Sequence, residues 1–137
     1  MKGKTRIAVL TGAGVSAESG LKTYRDNGGL WNGVDPMEVA SVEGWQRDPG
    51  KVLEFYNVRR AELKEARPNE AHRLIAALEE KYVVDVITQN VDNLHERAGS
   101  THVVHLHGEL TKIRPEDTCN ERDGYSEKYV IDIGYGE

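Results

Sequence analysis

Three short polar strings carry residue types from which a binding and reaction site could be built: Gly12-Ala13-Gly14-Val15-Ser16, Gln89-Asn90-Val91-Asp92-Asn93 and His105-Leu106-His107-Gly108. Glycines at the first string let backbone N–H groups and a helix start approach a pyrophosphate closely. Short polar side chains such as Asn90 and Asp92 at a strand end can hold a ligand's polar groups in one orientation, so the chemistry they offer is positioning. An imidazole accepts a proton near neutral pH, its ordinary pKa being about 6.5, which suits a general base. Among the five histidines, His107 is singled out because the following Gly108 would open access to its ring, whereas His72, His95, His102 and His105 read as structural or solvent-facing. Taken singly, each string has a plain conformational reading. Gly and Asn supply loop conformations, Asp92 caps a helix and His107 bonds to backbone.

The elements that must position these strings weaken the plain reading. Residues 6–11 (RIAVLT) are β-branched and apolar and stop at Gly12, as in a strand covered on both faces. Residues 82–88 (YVVDVIT) and 102–106 (HVVHL) are two further strands, ending at Gln89-Asn90 and at His107-Gly108. In open parallel sheets ligands bind outside the C-terminal strand edge, and three polar strand ends in register imply one site there. Between the first two strands, Asp48-Pro49 marks a helix start, and residues 50–66 place Val52, Phe55, Tyr56, Arg59 and Leu63 on one face. Pro68 closes that helix. Asn69 caps a second one, in which Ala71, Leu74, Ile75 and Leu78 form an aliphatic stripe expected to be its buried side. Residues 114–128 read as loop, and residues 128–135 alternate like an edge strand. The expected fold is α/β: a parallel Rossmann-like sheet with helices on both faces and a helical insertion at about 26–66. Three strong strands and one weak one are fewer than the five or six of a doubly wound sheet, so incompleteness at the C-terminus is expected, with self-association through the incomplete sheet.

Composition narrows the classes. The 137 residues, 38% hydrophobic and 30% charged, fit one soluble globular domain. A net charge of −5 gives no electrostatic reason to seek nucleic-acid phosphates or an anionic membrane. No apolar run approaches the roughly 20 residues of a membrane span, and the N-terminus lacks the pattern of a secretory signal, so a cytoplasmic location is expected. In the dinucleotide fingerprint GxGxxG the last glycine is replaced by Ala17, and no acidic residue closes a second strand about twenty residues on. An ordinary nicotinamide dehydrogenase is therefore disfavoured.

Read together, GAGVSAESGLKTYRDNGGLW (residues 12–31), TQNVDNLHERAG (residues 88–99) and HLHGEL (residues 105–110) resemble the sirtuin family of NAD-dependent protein lysine deacylases. Three separate motifs stand in the family's order, and the match covers residues 7–110. The resemblance implies NAD as cofactor, acyl-lysine proteins or peptides as substrates, and a partial NAD-binding domain over residues 1–112. It implies that Gly12, Ala13, Gly14, Ser16 and Trp31 belong to the cofactor-binding set, with Ala13, Glu18, Thr23 and Arg25 lining the loop over the cofactor. Gln89, Asn90 and Asp92 match positions around the nicotinamide ribose, Val91 belongs with them to the cofactor-binding set, and Asn90, Asp92 and His107 match the catalytic set, with His107 as general base. The chemistry implied needs these types. An amide oxygen is a poor nucleophile, so it displaces nicotinamide only when the ribose C1′ is made strongly electrophilic by positioning, and a ribose hydroxyl must then give a proton to a neutral histidine.

Tyr56 and Arg59 lie three apart on the predicted helix, so the guanidinium would sit among apolar neighbours and want a carboxylate. In FYNVRR the sequence resembles the sirtuin subgroup that removes negatively charged acyl groups, where Tyr and Arg bind the distal carboxylate of succinyl- or malonyl-lysine. The alternative is that Arg59 snorkels to solvent or pairs with Glu62 or Glu65.

The sequence also departs from the family. Sirtuins commonly carry two CxxC pairs that bind structural zinc after the HGEL segment, although some members lack them. Here Cys119 stands alone, so no metal is expected, and residues 113–137 are expected to begin a zinc-free, flexible small domain. No counterpart of the family's later FGE and GTS segments precedes Glu137, from which weak or absent turnover by this chain is expected. Two other functions remain open: a module that binds NAD or ADP-ribose without chemistry, and a Rossmann oxidoreductase.

Overall fold

A computed structural model describes residues 3–23 and 33–112. Arg25, Trp31, Cys119, the expected loop at 114–128 and the expected strand at 128–135 lie outside the described residues.

Three strands form one parallel sheet in the order β1-β2-β3, with β1 at Arg6–Thr11, β2 at Val83–Thr88 and β3 at Val103–His105. The register pairs Thr11 with Thr88 and Thr88 with His105, so all three strands finish at one edge, as the polar strand ends require. The alternation of side chains gives the sheet two unlike faces. Val84, Val86 and Thr88 are buried, with Ile7, Val9 and Thr11 beside them on the same face. The opposite face carries Ala8, Leu10 and Val104, all exposed, Leu10 by 68% and Val104 by 52%. Among the described residues the helices cover one face of β1.

The helices begin where local chemistry starts them. The four-residue α1 (Gly14–Ala17) follows β1 directly. Two short helices that the periodicity did not reveal are α2 (Pro36–Val39), capped by Asp35, and α3 (Val42–Arg47), capped by Ser41. They pack so closely that a Cβ on Gly44 would lie 2.3 Å from the Glu38 carbonyl oxygen, so only glycine fits there. The 17-residue α4 spans Pro49–Glu65, with the Asp48 side chain accepting from Lys51 N–H at 3.0 Å. It buries Val52, Phe55 and Leu63 as expected, but the charged residue it buries is Arg60. Arg60 Nε donates to the Leu110 carbonyl at 2.9 Å and Nη1 to Asn57 Oδ1 at 2.7 Å, which satisfies the buried guanidinium.

Helix α5 (Glu70–Ala77) starts in a capping box: Asn69 Oδ1 accepts from Ala71 and His72 N–H, and Asn69 N–H donates to His72 Nδ1 at 3.3 Å. Its expected aliphatic buried stripe is corrected. Leu74 is 59% exposed and Leu78 is exposed too, whereas His72 is fully buried. The imidazole has hydrogen-bond partners inside, and Ala71, Leu74 and Ala77 on the outer face of α5 are exposed. Helix α6 (Leu94–Ala98) joins β2 to β3 and ends at Gly99 with φ of 110°.

Leu21, Leu63, Ala66, Leu94 and Leu110 form the main apolar cluster, with Tyr56 and Val91 packed against it. It knits the second half of α4 to the segments leaving β2 and β3. Full burial of a leucine stabilises by about 1.5–3 kcal/mol, so Leu63 and Leu94 anchor this junction. Arg97 of α6 adds two bonds, to the carbonyls of Leu63 at 3.1 Å and Ala66 at 2.7 Å, closing the C-terminus of α4. No helix among the described residues is long and apolar enough to cross a membrane.

Candidate functional site

The C-terminal strand edge opens into a cavity of about 570 Å³. Ala13 and Ser16 reach it from the glycine turn, and Gln89, Asn90, Val91 and Asp92 from the end of β2. His107, two residues past β3, and Tyr56 and Arg59, on α4, complete the set of sequence-expected residues that line it. Gly12 stands just behind, its carbonyl accepting from Asn90 Nδ2 at 3.1 Å. Gly14 opens α1, in which Val15 and Ser16 N–H donate to the Gly12 and Ala13 carbonyls at 3.1 Å, and a Cβ on Gly14 would meet nothing within 4 Å. Glu18 is exposed at the end of α1 and Thr23 is half-buried, and neither is among the residues that line the cavity.

The cavity floor is a hydrogen-bonded network centred on the buried Ser16 hydroxyl. Asn90 Nδ2 donates to Ser16 Oγ at 3.2 Å, and Ser16 donates to Asp92 Oδ2 at 2.8 Å. Because His72 Nδ1 accepts from Asn69, the ring proton sits on Nε2, which faces Ser16 Oγ at 3.4 Å. The other Asp92 oxygen accepts from Leu94 N–H at 3.1 Å, so Asp92 both starts α6 and anchors Ser16. With Nδ2 committed twice, Asn90 keeps its Oδ1 acceptor for a ligand.

Beneath this layer, Thr11 Oγ1 donates to Thr88 Oγ1 at 2.9 Å, Thr88 Oγ1 accepts from Asn90 N–H at 3.0 Å, and His95 Nε2 lies 2.9 Å from Thr11 Oγ1. The His72 and His95 rings meet edge to face, 4.8 Å apart. Burial lowers the pKa of both, outweighing the nearby Asp92 carboxylate, and the network is built on neutral imidazoles. Sequence reasoning placed His72 and His95 among structural residues and overlooked Thr11 and Thr88. The available signal was a hydroxyl residue closing each of two strands, and a histidine three residues after an N-cap Asn.

The remaining wall is built on one turn and one helix. Gly108 has φ of 85°, a left-handed conformation that favours glycine, and it turns the chain just after the exposed His107 ring. Leu110 N–H donates to the Val91 carbonyl at 2.9 Å, which fixes the turn to the end of β2. Burial raises the pKa of Tyr56 against the pull of Arg59 and Arg60, so its hydroxyl is a neutral donor. Arg59 Nη1 forms an ion pair with Glu62 at 3.7 Å, the pairing that the alternative reading expected, and the side chain also lines the cavity.

A parallel α/β sheet with one crevice at its C-terminal edge, walled by a glycine turn, an Asn-Asp pair and a His-Gly turn, defines a Rossmann-like ligand-binding domain. The Sir2 family profile matches residues 12–131, and the chain belongs to that family. The NAD-dependent protein deacylase of Bacteroides thetaiotaomicron is 57% identical over 127 residues, covering 93% of this chain and 52% of the relative. A crystal structure of a Sir2 homologue in complex with NAD superposes with a TM-score of 0.78 at 44% identity, covering 96% of this chain and 49% of that one. A substituted Sir2 homologue in complex with 2′-O-acetyl-ADP-ribose gives the same TM-score at the same identity, covering 93% of this chain and 51% of that one. The chain spans about half the length of the curated relatives it matches.

Proposed function

We propose that the cavity binds NAD and an acyl-lysine peptide and serves NAD-dependent protein lysine deacylation, with preference for succinyl- and malonyl-lysine over acetyl-lysine. The observation that carries this reading is the meeting of Asn90, Asp92, His107, Tyr56 and Arg59 on one cavity. Its volume lies in the usual range of ligand sites, the Asn90 Oδ1 acceptor suits a carboxamide or ribose hydroxyl, and the absence of a side chain at Gly14 lets a phosphate approach the backbone of the turn. Bound NAD would supply the ADP-ribosyl group that accepts the acyl group as nicotinamide departs. Asn90 orients the ligand from a peptide already fixed by Thr88, and Asp92 holds the Ser16 hydroxyl beneath it. His107, exposed on the wall, takes the proton of a ribose hydroxyl at its ring nitrogen. Tyr56 donates its phenol proton, and Arg59 presents its guanidinium, to the distal carboxylate of the acyl group.

The test is calorimetric titration with NAD and with ADP-ribose, followed by incubation with NAD and either a succinyl-lysine or an acetyl-lysine peptide, with products read by mass spectrometry. Binding is expected, with weak nicotinamide release and desuccinylation faster than deacetylation. Failure to bind either nucleotide would overturn the NAD reading, equal rates on the two peptides the acyl preference, and binding without nicotinamide release would leave a binding module.

A further inference from the structure

His105 has been given no part in the chemistry above, yet it touches what positions that chemistry. Its side chain is 5% exposed. Nδ1 lies 2.8 Å from the Asn90 carbonyl oxygen, and Nε2 lies 2.6 Å from Glu96 Oε1 on α6 and 3.8 Å from Glu109 Oε1, just past the His107 turn. A carbonyl oxygen only accepts, so Nδ1 carries a proton. An ionised carboxylate also only accepts, so Nε2 must carry one as well. A neutral ring would set a bare lone pair against Glu96 at hydrogen-bond distance.

The charged groups around the ring agree with this assignment. Glu96 and His95 approach from α6, and Glu109 from the turn after β3, itself bonded to Lys112 at 2.9 Å, while the end of β2 offers the Asn90 carbonyl. Burial disfavours the charged ring, but the bonds to Glu96 and Asn90 and the two carboxylates outweigh it and raise its pKa. Burial likewise pushes Glu96 up, yet the His105 bond carries it down.

We propose that His105 is a positioning residue that works as an imidazolium, gripping the Asn90 peptide on one side and, through Glu109, the His107 turn on the other, so that losing its proton loosens both walls of the cavity and weakens dinucleotide binding. The ligand in this statement rests on the function proposed above, but the coupling of His105 to the two walls does not.

The test is a pH titration of the 137-residue chain by NMR, following the His105 ring nitrogens and the amides of Asn90, Val91, His107 and Gly108. Both ring nitrogens are expected to be protonated below a midpoint that lies above the ordinary histidine value of about 6.5 and that those amides share. Glu96→Gln offers the bare Nε2 an amide donor, so it should lower the midpoint by about one unit or more and uncouple the amides from it. Glu80→Gln, removing the same charge elsewhere, should leave the midpoint in place. Affinity for NAD or ADP-ribose should fall about fivefold or more across the wild-type midpoint and become flat over that range in Glu96→Gln. A His105 midpoint at or below the ordinary value, amides that ignore it, or a midpoint unmoved by Glu96→Gln would each overturn the proposal. A chain that binds neither nucleotide at any pH would defeat the functional reading, while the ring and amide titrations would still decide the role of His105.

Discussion

At His107, exposure and reach matter more than bonding, since the ring lines the cavity and follows a strand that ends two residues earlier. Asn90 and Asp92 are the opposite case, because most of their polar atoms are spent on Ser16, Gly12 and Leu94. This contrast separates two kinds of substitution. His107→Ala should lower acyl transfer by about 10²–10⁴-fold and leave NAD affinity largely intact, as read by product formation and calorimetry side by side. An unchanged rate would remove His107 as the base. Arg59→Met should raise KM for a succinyl-lysine peptide and spare an acetyl-lysine peptide, so an equal loss on both would refute the carboxylate contact.

Helix α4 joins the Tyr56 and Arg59 side of the cavity to the rest through polar pins as well as packing. Arg60 holds the Leu110 carbonyl, and Arg97 holds the carbonyls of Leu63 and Ala66. Arg97→Met should lower stability by about 1–2 kcal/mol in urea unfolding, through carbonyls left at the helix end. Elements of this kind were legible where their causes are local. Asp48-Pro49 and Asn69 announce helix starts by their own hydrogen bonds, and the three strands lie within a residue or so of their expected bounds. Helices α2 and α3, of four and six residues, are too short to show a period. The choice between Arg59 and Arg60 as the buried cation was illegible for another reason. It depends on a carbonyl fifty residues downstream, and no spacing within α4 encodes that. The buried His72 was hidden likewise, because the partner that makes its burial tolerable is Ser16, on another element.

Across the whole molecule, three histidines set opposing pH dependences. His72 and His95 are held neutral by burial, so the unfolded chain binds more protons once pH falls below the ordinary histidine value of about 6.5. Their contribution to stability is present above that value and is lost as pH falls toward their lowered folded pKa values. His105, with its raised pKa, contributes fully below about 6.5 and loses that contribution as pH rises through its folded value. Melting temperature against pH should therefore peak near neutrality, and His72→Gln should flatten the acid side of the curve. A monotonic profile would contradict the assignment. The two sheet faces predict a second contrast. In urea unfolding, Leu63→Ala in the core should cost about 2–5 kcal/mol, whereas Leu10→Lys on the exposed face should cost within about 0.5 kcal/mol.

His72 serves two masters with one ring: Nδ1 closes the first turn of α5, and Nε2 faces the Ser16 hydroxyl under the cavity. The start of that helix and the floor of the cavity are therefore linked through one side chain. Whatever a bound molecule does to Ser16 is passed to the Asn69 amide, whose proton thereby becomes a distant reporter of occupancy, exchanging with solvent more slowly when the cavity is filled.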